Sequence, residues 1–266
     1  MREVPDTPII GEAAFDSAQV EGLRKVLEEC RPLMRDAGRY ANSVSFRELE
    51  AIGRRDLLTR AFDIFLASKA HDLAASKFPN GYCLPLSVCA FRIHQPDVLN
   101  SHLGLHLDAN FLGAEDLTYN VWVTLDDLGE GVPGLLFLRP ELPTSSVRKA
   151  WRSKFNQIIA QRGPTTGINY MFQENALAAH FRKPIDEVLY APRVKAGSFI
   201  AFHQLVMHAT EVVADHEKLR RSIEFRVTSA NAIPRGCRPK GGVVAVCRAT
   251  SDGGRFMDYV DMESLL

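Results

Sequence analysis

Three separated stretches of this chain alternate apolar and polar residues with a period of two. A strand is the regular element that sorts such residues onto opposite faces. In His102-Leu103-Gly104-Leu105-His106-Leu107-Asp108, three leucines alternate with two histidines, a glycine and an aspartate. Asn120-Val121-Trp122-Val123-Thr124-Leu125 puts Asn120, Trp122 and Thr124 on one face. From Arg220 to Val227, the residues Arg220, Ser222, Glu224 and Arg226 share a face, and Arg221, Ile223, Phe225 and Val227 share the other. The polar faces predict the interior of a barrel, and the apolar faces predict packing outward against helices. Gly197-Ser198-Phe199-Ile200-Ala201-Phe202 reads as a turn followed by a buried strand that delivers the chain to His208.

The inward faces carry the chemistry. On a strand, His106 and Asp108 point the same way, and His208 supplies a second imidazole. Two histidines and one carboxylate can hold a metal on one face and leave the other open, the ligand set of non-haem Fe(II) oxygenases. A helical reading would pair His102 with His106 as in zinc proteases, but that motif needs glutamate where Leu103 stands. His203 is the rival for the distal position. An arginine shortly after His208 offers a planar cationic fork for a dicarboxylate. Strand parity selects Arg220 over Arg221, with Ser222 on the same side.

These segments occur in an order that resembles the phytanoyl-CoA dioxygenase-like branch of the Fe(II)/2-oxoglutarate-dependent oxygenases. The resemblance runs from about Val88 to Thr228. His106-x-Asp108 is similar to the family's H-x-D. Trp122 to Asp127, followed by Gly131-Val132-Pro133-Gly134-Leu135-Leu136, resembles its tryptophan strand and glycine turn. Gly197 through Phe202 to His208, then Arg220-Arg221-Ser222-Ile223, resembles the distal-histidine and arginine strands. The chain departs from the family pattern in having no asparagine shortly after His208, and in Ser198 where an acidic residue is usual.

The resemblance implies a mainly β fold, a double-stranded β-helix (jelly-roll or cupin-like) core with flanking α-helices and a helical insertion over the site. It implies Fe(II) held by His106, Asp108 and His208. The co-substrate 2-oxoglutarate would pair with Arg220 and Ser222 beside Trp122 and Asn120. The activity implied is oxidation of a small-molecule C–H bond with O2, releasing succinate and CO2, on a biosynthetic intermediate. Related halogenases replace the carboxylate by a small residue. Asp108 is intact, which favours hydroxylation, with desaturation or cyclisation as variants of the same attack. Two alternatives stay open: a cupin-type metalloenzyme that does not use 2-oxoglutarate, and a non-catalytic binding member of the fold.

Length and composition are consistent with this. A chain of 266 residues suits a single domain of this type. We expect a helical part at 1–80, a barrel core over about 85–248 and an insertion over about 140–184. Ser17 is the expected cap of a first helix through Val20, Leu23, Val26 and Leu27, and a longer helical region is expected from Phe46 to Phe78. One more strand is expected at Gly242 to Val246, followed by a loose end. Lys plus Arg and Asp plus Glu are both 32, so no broad positive field marks a nucleic-acid partner. No apolar run is long enough for a membrane span, and the first residues lack a signal-peptide core. Five cysteines without metal spacing read as reduced thiols of a cytoplasmic protein. Substrate selection is expected from the insertion (Tyr170, Phe172, Gln173 and His180) and from His102, Arg92 and Arg226. A salt bridge to Glu224 is the plainer account of Arg92, and Trp151 and Phe155 read as packing residues of a satellite helix.

Overall fold

The alternating segments sort into two sheets with helices packed on one outer face. The computed structural model describes residues 7–35, 41–95, 103–113, 117–143, 147, 149, 153, 160, 174–212, 217–237 and 242–265. Strand β1 (Ile9–Gly11) precedes helix α1 (Ser17–Cys30). Its cap is Asp16 rather than Ser17. The Asp16 carboxylate accepts from the Gln19 amide at 2.8 Å, and the Gln19 side chain accepts from the Asp16 amide at 2.8 Å. That reciprocal arrangement satisfies two otherwise orphaned donors. Strand β2 (Ser43–Ser45) leads into α2 (Phe46–Ala51), α3 (Arg55–Leu66) and α4 (Lys69–Lys77). The expected single helical region is therefore three helices. Gly53, at φ +78°, turns the chain after the first, and Ser68 caps the third.

Strands β3 (Tyr82–Pro85) and β4 (Ala90–His94), a short α5 (Ala109–Leu112), β5 (Thr118–Thr124), β6 (Leu135–Leu138) and β7 (Leu189–Tyr190) follow. The remainder is β8 (Phe199–His203), β9 (His208–Thr210), β10 (Arg220–Ser229), β11 (Val243–Ala249) and β12 (Arg255–Asp261). Strands β1 and β2 therefore lie within the part expected to be helical, 1–80. The expected loose end instead contains β12, paired with β11 from Val243–Asp261 to Ala249–Arg255.

The large antiparallel sheet runs β1-β8-β5-β10-β3-β11-β12, with β4 beside the first half of β10 and β2 beside β4. The small sheet runs β7-β6-β9. One outer face of the large sheet carries Val121, Val123, Phe199, Ile223, Phe225 and Val227, packed with Leu23, Leu27, Phe62 and Phe65 of the helices. Phe65 meets Phe225 at 4.6 Å and Phe46 meets Phe91 at 4.9 Å between centroids, within the range of favourable aromatic pairs. Between the sheets, Trp122, Ile200 and Phe202 face Leu135 and Phe137. Each β10 side chain thus falls on the side that its parity predicts.

The described part of the insertion includes a helix, Glu174–Phe181, whose buried Leu177 packs with Leu105, Leu107 and Met207 behind the histidine-bearing segments. No helix among the described residues is long and apolar enough to cross a membrane.

Candidate metal centre

The segment around His106 is less regular than its alternation predicts. It forms an isolated antiparallel bridge, His106 opposite His208, and then turns into α5 with Asp108 at the cap position. The leucines still do what the pattern requires, with Leu105 and Leu107 buried in the cluster behind the small sheet. The bridge supplies both backbone bonds, His106 N–H to the His208 carbonyl at 2.9 Å and the return bond at 3.1 Å.

His106, Asp108 and His208 each offer one ligand atom, and these atoms lie within 4.8 Å of one another. Oδ1 of Asp108 stands 3.5 Å from Nε2 of His106 and 3.7 Å from Nε2 of His208. Each imidazole donates its Nδ1 proton to the carbonyl two residues upstream, His106 to Gly104 at 2.7 Å and His208 to Val206 at 3.1 Å. A carbonyl only accepts, so both rings are held in the tautomer that leaves Nε2 with a free lone pair. This is the usual orientation of metal-binding histidines. Asp108 Oδ1 is buried and has no hydrogen-bond partner among the described residues. An orphaned carboxylate oxygen facing two imidazole lone pairs is costly unless a cation completes it. The donor set fits a divalent metal.

Electrostatics agree. Burial opposes the Asp108 charge, but Arg226, with His208 and His106, outweighs it and holds the carboxyl far below the usual carboxylate range. Burial pushes His208 down to about 4, assisted by His106, so its ring is neutral at physiological pH.

A cavity reaches from this triad to Arg220, lined by Asn120, Trp122, Leu135, Phe202, Thr210, Arg92, His94, Glu224 and Arg226. Arg220 is buried, and its guanidinium stands over the Trp122 ring at 5.5 Å. Its Nη1 donates to the carbonyls of Pro133 and Gly134 at 3.2 and 3.0 Å. Burial lowers its pKa to about 10, still cationic at neutral pH. Arg220 Nε, Ser222 Oγ and Asn120 Oδ1 are buried without a hydrogen-bond partner among the described residues. That leaves a cavity-lining guanidinium whose Nε is an unmet donor, with the unmet Ser222 hydroxyl beside it on β10, although Ser222 does not itself line the cavity. A cationic donor of this kind suits a bound carboxylate. Arg221 points to the opposite face and pairs with Asp126 at 2.5 Å. Thr124 shares the parity of Trp122, but its hydroxyl donates to the Asp126 carbonyl at 2.7 Å and does not line the cavity.

Arg92 pairs with Glu224 at 3.0 Å and lines the cavity from β4. Arg226 reaches Asp108. His203 is buried on β8, where its Nδ1 accepts from the Leu205 amide at 3.1 Å, away from the triad. His180 is exposed on its helix. His102, Trp151, Phe155, Tyr170, Phe172 and Gln173 lie outside the described residues.

Sequence reasoning missed two contributors. Glu211 is buried, bonds the Gly134 amide at 2.7 Å and clasps Arg193 at 2.6 Å, so it ties β9 to the loop whose carbonyls hold Arg220. Its place soon after His208, where the family often has asparagine, was the available signal. The second is a cavity of about 330 Å³ that shares Arg92, Leu103, His106 and Arg226 with the first and extends to Ser43, Ser45, Ser87 and Phe111. Strand β2, which supplies part of its wall, has no distinctive sequence pattern.

No known family profile matches the sequence, and no curated protein matches it. Solved structures do. SnoK, a non-heme alpha ketoglutarate dependent carbocyclase from nogalamycin biosynthesis, superimposes with TM-score 0.58 at 13% identity, over 87% of this chain and 83% of its own. EctD from S. alaskensis with bound Fe gives 0.54 at 14%, over 88% and 78%. The epimerase SnoN, from the same nogalamycin pathway as SnoK and also alpha ketoglutarate dependent, gives 0.52 at 14%, over 87% and 82%. At such identities the likeness is one of fold, and the chain has the double-stranded β-helix architecture of these structures.

Proposed function

We propose that this chain is an Fe(II)- and 2-oxoglutarate-dependent oxygenase that oxidises a C–H bond of a small molecule with O2, releasing succinate and CO2. Placement in the phytanoyl-CoA dioxygenase-like branch is part of the proposal, as are a single domain over 1–266 and a cytoplasmic location. The observation that carries the reading is the pairing of two features in one cavity. One is a metal-ligand triad whose two histidines line the cavity and whose buried carboxylate has an orphaned oxygen, and the other is the cavity-lining Arg220 with an unmet Nε.

In this reading His106, Asp108 and His208 hold the iron, which supplies oxygen activation and C–H oxidation when bound. Arg220 binds the distal carboxylate of 2-oxoglutarate, with Ser222 and Asn120 as hydrogen-bonding partners. Trp122 walls the co-substrate and excludes water from its carbon chain. The intact carboxylate at Asp108 supports hydroxylation over halogenation. The epimerase and carbocyclase among the structural neighbours support keeping desaturation and cyclisation within the reading. The second cavity, opening beside His106, is the proposed substrate chamber.

Anaerobic calorimetry on iron-loaded protein tests the proposal. Saturable 2-oxoglutarate binding that requires the metal is expected, followed in air by succinate formation with a substrate from a panel of biosynthetic intermediates. Iron-loaded protein that binds no 2-oxoglutarate and forms no succinate overturns it.

A further inference from the structure

Asp108 has two carboxylate oxygens in different surroundings. Oδ1 faces the two histidine Nε2 atoms and has no hydrogen-bond partner among the described residues. Oδ2 is taken by Arg226, whose Nε and Nη2 donate to it at 3.2 and 3.0 Å. The guanidinium is itself immobilised. Its Nη1 donates to the Val88 carbonyl and contacts Glu224 at 3.3 Å, and the Phe111 ring lies against it at 5.2 Å. Glu224 is in turn clasped by Arg92 at 3.0 and 3.2 Å. Two arginines and two carboxylates thus form one row from the half-buried Arg92 at the second cavity to the buried metal triad, with their charges in balance.

We propose that Arg226 is a positioning residue that keeps Asp108 a one-oxygen ligand, and so preserves the open positions on which the proposed co-substrate chemistry depends. The inference rests on the proposed function and adds a device to it. Three single-atom ligands would leave a bound iron ion the open positions that the co-substrate and O2 need. If Oδ2 also bound, one of those positions would close. Two donated hydrogen bonds to Oδ2, from a cation that cannot lose its proton, oppose that swing. A merely structural ion pair would need no such division between the two oxygens.

The division predicts opposite effects on two affinities. In Arg226→Gln, Oδ2 is released towards the metal and the neighbouring positive charge is removed. Binding of Co(II), used in place of Fe(II), should stay within about threefold of wild type or tighten, whereas 2-oxoglutarate should bind the Co(II)-loaded protein about tenfold or more weakly, a difference of about 1.4 kcal/mol. The Co(II) visible spectrum should change in intensity as the coordination changes. Arg226→Lys, with one contact point in place of a fork, should show the same divergence at smaller size and carries the test if the glutamine variant does not fold. Parallel loss of both affinities, or unchanged spectra and affinities, overturns the inference. Wild-type protein that binds Co(II) but no 2-oxoglutarate would count against the proposed function alone. The variant-to-wild-type comparison of Co(II) spectra would still decide the role of Arg226.

Discussion

His106 and His208 are paired through their backbones, exchanging both hydrogen bonds of an antiparallel bridge at 2.9 and 3.1 Å. Their rings come within 4.2 Å between centroids as a consequence of that pairing. The side chains add lone pairs to a geometry that the main chain already fixes. His208→Ala is therefore expected to fold and to lose metal binding. A metal present at about 100 times its dissociation constant should stabilise the wild type by about 2.7 kcal/mol and leave this variant unmoved. Thermal unfolding with and without Co(II) checks it.

Arg220 and Arg221 should separate cleanly. Arg220→Ala is expected to raise the 2-oxoglutarate KM about 100-fold, the effect of removing a charged hydrogen-bonding partner of about 2–3 kcal/mol, while Arg221→Ala leaves it within about twofold. Arg221 bonds Asp126 on the outer face, so its loss should appear only as a modest fall in Tm. Steady-state kinetics on both variants decides it. Equal effects would contradict the parity argument.

Glu211 acts on Arg220 through the loop between them. Its carboxylate bonds the Gly134 amide, and the Gly134 carbonyl accepts from Arg220. Glu211→Ala leaves a buried N–H unsatisfied, which should cost about 2 kcal/mol of stability. The 2-oxoglutarate KM should rise about tenfold with kcat little changed, since the guanidinium loses its seat and not its charge. Denaturant unfolding and kinetics report the two effects separately.

Acid should weaken the metal-free protein by way of His208. Its pKa is pushed down from 6.5 to about 4, so between those values the unfolded chain takes up a proton that the folded chain refuses. Stability then falls as pH drops below 6.5 and is flat above it, by about 2 kcal/mol between pH 6.5 and 5. Asp108, held below its ordinary 3.8, adds a second loss in the same direction at lower pH. Melting curves in chelator should show a decline from pH 7 to 5 in the wild type and a shallower one in His208→Gln.

Much of the site was legible because strand parity is a two-state variable. Once Ile223, Phe225 and Val227 are placed outward, Arg220, Glu224 and Arg226 have no other side to occupy. The same logic overreached at 103–108, where the alternation gives an isolated bridge and a turn into α5 instead of a continuous strand. Leucine burial behind the small sheet satisfies the pattern either way. The position of Glu211 after His208 was a signal, but its role, like that of the Ser43–Ser45 wall, was not legible, because it depends on which loop meets which strand across the barrel. The division of the Asp108 oxygens was equally hidden. Arg226 stands far from Asp108 in the sequence, and only the folded sheet shows that its fork reaches Oδ2.

The three ligands of the triad are anchored from opposite layers. The two histidines belong to the bridge at the edge of the small sheet, whereas Asp108 is gripped by Arg226 of the large one. A bound ion would therefore act as a rivet between the two walls of the barrel. Its removal would loosen the seam between the walls and with it the short pairings of the three-stranded sheet, while the larger sheet keeps its ladder, so amide exchange should rise along β6 and β9 and hardly at all along β5 and β10.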